Sequence, residues 1–243
     1  MARGISKGLR EMTGHVPRHA VVIASGGLDS TAAAYLLAAQ GASVSLLSFD
    51  YGQRHRKELQ CAARIAGLLG AAHEVVDLTA VGRLLGGSAL TDAGLAVPDG
   101  HYTDETMRIT VVPNRNAIML EVAAAVAVAT KADAVAFGAH AGDHFIYPDC
   151  RPEFFEKITS SIRAGNEGFL TDGFQLVAPF LYITKADIVE TAAGLNVPFE
   201  LTWSCYKGGE VHCGTCGTCT ERREAFDLAG VADPTPYAAG VAQ

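Results

Sequence analysis

Four groups of residues in this chain have types and spacings that can do chemistry. The first is Ser25-Gly26-Gly27-Leu28-Asp29-Ser30-Thr31, set between a short apolar run and an alanine-rich pattern that reaches Gln40. Two glycines let a backbone turn tightly and approach an anion without a Cβ in the way. A helix start adds unpaired N–H groups and partial positive charge. Ser25 and Ser30 add hydroxyl donors. The combination reads as a phosphate cradle. The plainer reading is a glycine turn with Asp29 or Ser30 as an ordinary helix cap. No Lys-Ser/Thr pair follows the glycines, so this is not a Walker A loop.

The second group is Cys205-x7-Cys213-x2-Cys216-x2-Cys219. Four thiolates so spaced suit a tetrahedral metal site, and Gly214 and Gly217 let the chain fold back around it. One zinc is expected, with an iron–sulfur cluster as the alternative. The set is complete without His or water, which points to a closed structural site. Sulfur transfer by one of these cysteines is disfavoured, because a nucleophilic thiol should not be held as a ligand. The third group is Tyr147-Pro148-Asp149-Cys150-Arg151, whose plain alternative is a Pro-Asp turn. The fourth comprises single cations and histidines. Arg115 suits a phosphate, a carboxylate or a surface salt bridge. Lys185 falls in the first turn of an expected helix, where a cation is disfavoured unless it has another task. His55, His140 and His144 are possible proton shuttles, and none is assigned as a general base.

Alternating strand and helix patterns position these groups. Strands are expected near 20–24, 44–49, 73–77, 134–137 and 176–178, and helices over 31–40, 56–69, 117–129, 154–164 and 185–194. Residues 86–108 lack periodicity and read as a surface loop. Such alternation means an α/β fold, a doubly wound, mostly parallel sheet covered on both faces. Ligands bind such sheets at the carboxyl ends of the strands. Ser25-Gly26-Gly27, Asp50, Pro113-Asn114-Arg115 and Gly138-Ala139-His140 should therefore share one edge. The expected organisation is a leader over 1–18, a nucleotide-binding domain over 19–195, a small zinc-binding helical region over 196–230 and a tail over 231–243.

Composition sets limits. In 243 residues, 49% are hydrophobic and 19% charged, enough for a sizeable core. A net charge of −7 argues against a general nucleic-acid binder. No stretch reads as a secretory signal or a membrane span, so the cytoplasm is the expected location.

The glycine turn resembles the PP-loop of ATP pyrophosphatases, which split ATP into AMP and pyrophosphate. That loop, Asp50-Tyr51-Gly52-Gln53-Arg54-His55, Tyr147-Pro148-Asp149-Cys150-Arg151 and the cysteine tail occur in an order that closely resembles the QueC family of 7-cyano-7-deazaguanine synthases, over nearly all of residues 20–227. The resemblance implies a ligase that converts 7-carboxy-7-deazaguanine and ammonia to the nitrile with ATP, acting as a homodimer. The other readings are a PP-loop enzyme that amidates or thiolates another substrate, such as a tRNA nucleotide, and a nucleotide-binding zinc module without catalysis.

The resemblance implies roles for particular residues. Ser25, Gly26, Gly27, Leu28, Asp29, Ser30 and Thr31 would surround ATP, with Asp50 and Gly138 beside them. Asp29 accepts only, so its place near phosphate implies Mg²⁺. Asp29, Lys185 and Arg115 are the catalytic candidates, with Lys185 a point charge for phosphate. Tyr147 could stack on the base, Asp149 or Asp143 could accept from its donor edge, and Arg151 could hold its carboxylate. The chain departs from the family pattern at Leu28, where many members have Gln, and at Ala141-Gly142 and Phe145-Ile146.

Overall fold

Strand residues alternate between two helical layers. In β1 (His19–Ile23) the even positions Ala20 and Val22 pack with Ala34 and Leu37 of α1 (Leu28–Ala39) and Ala62, Ile65 and Ala66 of α2 (Lys57–Leu69). The odd positions Val21 and Ile23 pack with Leu120, Ala123 and Ala127 of α5 (Arg115–Thr130) and Ile162 of α6 (Pro152–Gly165). Period-2 burial on both faces is what a central parallel strand requires. Each large apolar side chain so buried contributes about 1.5–3 kcal/mol before chain entropy is counted.

The molecule is a computed structural model that describes residues 15–101, 103–145 and 147–240. The sheet is entirely parallel, in the order β3-β2-β1-β4-β5, with β2 at Ser43–Asp50, β3 at Ala72–Asp77, β4 at Ala134–Ala136 and β5 at Gln175–Val177. Ala20 lies opposite Val44 on one side and Ala134 on the other. The strand order reverses at β1, which opens a crevice between the carboxyl ends of β1 and β4. Two helices form a further layer behind α1. Ile188, Val189 and Ala192 of α7 (Lys185–Gly194), with Ala225 and Phe226 of α8 (Gly217–Ala229), cover Leu28, Ala32 and Leu36. Among the described residues, no helix is long and apolar enough to cross a membrane.

The expected fold class and strand positions are borne out, with boundaries shifted by a residue or two. The expectation of a surface loop over 86–108 is corrected. Ser88, Ala89, Leu90, Val97 and Met107 are buried there. Short helices, α3 (Thr79–Gly82) and α4 (Asp104–Arg108), flank or lie within the stretch. Ala89 and Val97 pack against Trp203 and the cysteines, and Asp99 bridges to Cys216. The segment is irregular because it fits the cysteine-bearing loop residue by residue, so no helical or strand period could announce it. Residues 1–14 of the expected leader and 241–243 of the expected tail lie outside the described residues.

Candidate active site and metal centre

Gly27 ends its extended run at the start of α1, and no side-chain cap closes that helix. The capping role open to Asp29 and Ser30 is therefore not taken. Ser30 Oγ instead donates to Gly27 O (3.3 Å) and lies 3.1 Å from Ser25 Oγ, which accepts from Gly27 N–H. Gly26 has φ +82°, and a Cβ there would fall 2.1 Å from Glu58 O, so the turn is pressed onto the first turn of α2. At Gly138, after β4, an added Cβ would lie 3.0 Å from Ser30 N. The two strand ends thus meet at the helix start, where free N–H groups favour an anion.

A cavity of about 210 Å³ opens at this point. One part of its wall is charged. Lys185 Nζ reaches across from α7 to Asp29 Oδ2 (3.3 Å) and Glu221 Oε2 (2.8 Å) of α8. Burial opposes the lysine's charge, but Asp29, Glu221 and Asp143 outweigh it and hold its pKa above the ordinary value. His140 is buried, and its Nδ1 accepts from Gly142 N–H at 3.1 Å. That bond leaves the proton on Nε2, which lies 3.8 Å from Asp29 Oδ2 and 3.6 Å from Asp143 Oδ2. Burial raises the Asp143 pKa despite His140 and Lys185. Asp29 Oδ1 is buried and has no hydrogen-bond partner among the described residues.

The other part of the wall is aromatic. Arg115, at the start of α5, lies over the Tyr51 ring (5.9 Å to the centroid) and donates to Tyr51 Oη at 3.4 Å. His55 and Tyr206 rings are 5.0 Å apart. Tyr147 Oη pairs with Thr110 Oγ1 at 2.8 Å, and burial pushes the Tyr147 phenol up to about 12. Cys150 lines the cavity and accepts from Asn116 Nδ2 (3.4 Å). Burial raises its pKa well above the usual thiol range, which keeps it a thiol rather than a nucleophilic thiolate.

Of the residues singled out in the sequence, Ser25, Gly27, Leu28, Asp29, Ser30, Arg115, Gly138, Asp143, Tyr147 and Lys185 line this cavity. Gly26 and Thr31 support the turn from behind it: Gly26 O accepts from Trp203 N–H, and Thr31 is buried. Three candidates lie apart. Asp50 binds Arg56 and the Gly52 N–H, and so ties down the loop after β2. Asp149 accepts from Asn116 N–H (3.4 Å). Arg151 is exposed and donates to Phe145 O (3.3 Å). The side chain of His144 lies outside the described residues. Sequence reasoning passed over Glu58, Asn116, Trp203 and Glu221, which all line the cavity. Glu58 stands three places past His55 in a quoted motif, a signal that could have been used. Glu221 had none.

The four cysteine sulfurs lie within 4.8 Å of one another, and Cys205, Cys216 and Cys219 are fully buried. Main-chain N–H groups of Thr215 (3.4 Å) and Cys216 (3.2 Å) point at Cys213 Sγ, and Cys213 N–H at Cys205 Sγ (3.4 Å). Four clustered thiols, with these N–H donors on the sulfurs of Cys205 and Cys213, form a donor set fit for a tetrahedral metal. The loop also serves the cavity. Trp203 N–H donates to Gly26 O (2.9 Å), and α8, which begins at the cysteines, carries Glu221 to Lys185.

Residues 19–230 match the family described as Queuosine biosynthesis protein QueC. The chain belongs to the QueC family. It is 58% identical over 217 residues to a 7-cyano-7-deazaguanine synthase of Allorhizobium ampelinum, covering 89% of this chain and 91% of that one. It is 57% identical over 217 residues to the synthase of that name from Brucella ovis, covering 89% and 92%. The NMN synthetase of Francisella tularensis is similar at 15% identity and a TM-score of 0.48, covering 89% of this chain and 79% of that one.

Proposed function

We propose that this chain converts 7-carboxy-7-deazaguanine and ammonia to 7-cyano-7-deazaguanine at the expense of ATP. The observation that carries the reading is the 58% identity to a synthase of that name across 89% of the chain. The cavity supports it, because a phosphate-binding turn and an aromatic, arginine-bearing wall face one space.

A carboxylate is a poor electrophile until its oxygen becomes part of a leaving group. The substrate carboxylate attacks the α-phosphorus of ATP and expels pyrophosphate. Ammonia attacks the acyl carbon, AMP leaves, and a lost proton gives the amide. The amide oxygen attacks a second ATP in the same way. Loss of the nitrogen-bound protons then breaks the C–O bond, releases AMP and forms the nitrile. Both carboxylate oxygens thus depart on AMP.

The protein's task is alignment and stabilisation of charge on the departing pyrophosphate. Ser25, Gly27, Ser30 and the N–H groups of α1 would hold the phosphates, with Lys185 as a mobile point charge. Arg115 would take the substrate carboxylate, and Tyr147 would flank the ring. Asp29, with one buried oxygen unpartnered, fits a Mg²⁺ ligand; the ion would neutralise phosphate charge when bound. Cys205, Cys213, Cys216 and Cys219 would hold one structural Zn²⁺. In this reading the enzyme is a cytoplasmic homodimer that uses free ammonia and does not act on nucleic acid.

The test supplies ATP, Mg²⁺, ammonium and substrate labelled with ¹⁸O in its carboxylate. Nitrile should form with two labelled AMP per product. AMP without nitrile would transfer the reading to another acid substrate.

A further inference from the structure

We infer that Glu58 reads the donor edge of the base, its carboxylate accepting from the ring N1–H and the 2-amino group of a guanine-type ligand. The inference rests on the deazaguanine reading above and adds the residue that enforces it.

Four carboxyl side chains line the cavity: Asp29, Glu58, Asp143 and Glu221. Asp29 and Glu221 pair with Lys185, and Asp143 faces His140. Glu58 and Asp143 both lack a lysine or arginine within ion-pair distance among the described residues, and each has a histidine beside it (His55 Nε2 at 3.5 Å and His140 Nε2 at 3.6 Å). Asp143 belongs to the Lys185 cluster, whose charges act on it, whereas the cation that acts on Glu58 is Arg115 of the other wall. Glu58 is nevertheless held in place. Gln53 Nε2 donates to Glu58 Oε1 (3.2 Å) and to Phe49 O (3.0 Å), and Gln53 Oε1 accepts from Tyr51 N–H (2.9 Å). A buried carboxyl oriented so firmly, without a cation in contact, is a group whose desolvation a ligand's N–H donors would offset. Burial pushes its pKa up to about 8, in keeping with that cost.

Its surroundings match one kind of ligand. Tyr51 and Tyr206 line the same wall and offer ring faces for a flat heterocycle. Arg115, stacked on Tyr51, has no acidic partner among the described residues and suits the acid group on the same heterocycle. A carboxylate acceptor and a guanidinium with no acid in contact are complementary to a ring with two N–H donors on one edge and a carboxylate elsewhere. Asp149, the other acceptor suggested by the sequence, lies off the cavity with its carboxylate taken by Asn116 N–H.

The experiment compares 7-carboxy-7-deazaguanine with its analogue lacking the 2-amino group, for wild type and Glu58→Gln, with ATP and ammonium. Wild type should prefer the parent acid by about 100-fold in kcat/KM, as a site built to hydrogen-bond a donor rejects a ligand without it. Glu58→Gln should lose about 100-fold on the parent through the KM for the acid, keep its KM for ATP, and prefer neither substrate by more than about 5-fold. The preference is a ratio per active molecule, so partial misfolding does not move it. If the Gln variant is insoluble, Glu58→Asp decides, with the preference expected to fall to about 10-fold. Equal use of both acids by wild type, or a full preference in either variant, overturns the assignment. Absence of nitrile from wild type and the parent acid would instead overturn the function reading.

Discussion

In one part of the cavity Lys185 lies 3.3 Å from Asp29 and 2.8 Å from Glu221, whereas in the other Arg115 faces the Tyr51 ring with no acid within ion-pair distance among the described residues. The two cations differ in what the protein has already done for them. Lys185 is neutralised before any ligand arrives and can exchange a carboxylate for a phosphate oxygen. Arg115 has no carboxylate, and Glu58 no lysine or arginine, within ion-pair distance among the described residues, although the Arg115 charge acts on Glu58; on the proposed reading a ligand with an acid group and a donor edge would offset the cost of burying both. On the proposed reading, the chemistry of ATP would be handled by paired charges, and selectivity for the base by charges with no opposite charge in contact.

The cysteine loop supports both parts, so its loss should produce the largest effect. Glu221 reaches Lys185 from α8, while Trp203, just before Cys205, and Tyr206, just after it, also line the cavity. Prolonged chelation should lower activity more than about 1,000-fold and Tm by more than about 10 °C, with ATP–pyrophosphate exchange and base binding failing together. Chelated protein that still binds the base by calorimetry would separate the aromatic wall from the metal. Next in size is Lys185→Ala, expected to reduce kcat by about 10²–10³-fold while the KM for the base changes less than about 3-fold. Arg115→Met should do the reverse, raising the KM for the base by about 10–100-fold and leaving the KM for ATP in place. Arg115→Lys should not restore it, because a planar fork is needed to grip a carboxylate in two places. If Lys185→Ala raised the KM for the base as Arg115→Met does, the division between the two parts would be lost.

The same division governs what could be read from the sequence. Phosphate binding is local chemistry: Ser25 to Thr31 lie in one turn, and a glycine pair before a helix announces itself. The alternation of buried strands and amphipathic helices is equally local, and it located the sheet. The cysteine cluster was legible because metal spacing is short. The selective wall is assembled from distant pieces: Tyr51 after β2, Glu58 in α2, Arg115 in α5, Tyr147 after β4 and Tyr206 beside the metal loop. Only packing brings them together. Asp149 and Arg151 show the limit from the other side, since the segment that contains them delivers Tyr147 and Cys150 to the cavity lining and leaves those two out of it. Glu221 meets Lys185 only because α7 and α8 pack side by side, a tertiary fact with no sequence period.

A last effect, on stability and not on turnover, follows from burying Glu58 without a cation in contact. Its carboxyl is raised from 4.5 to about 8 in the folded chain, with burial the largest cause. Below the unfolded value both states are protonated and the group contributes nothing. As pH rises toward 8 the unfolded chain releases this proton and the folded chain keeps it, so ligand-free stability falls; above 8 the loss levels off. Glu58→Gln cannot ionise and should escape that loss. Relative to wild type, its ligand-free Tm should be nearly unchanged near pH 4.5 and higher by about 10 °C at pH 8, a difference of about 4 kcal/mol. His55, 3.5 Å away, is lowered to about 3 by burial and the Arg115 charge, and its opposite pH dependence is present in both proteins. A variant that is more stable yet no longer selective would mark Glu58 as a residue kept for recognition at the expense of the fold. A Tm difference that stays flat from pH 4.5 to 8 would mean that the ligand-free chain already compensates this carboxyl, and the contrast between the paired and unpaired walls would fail at its sharpest point.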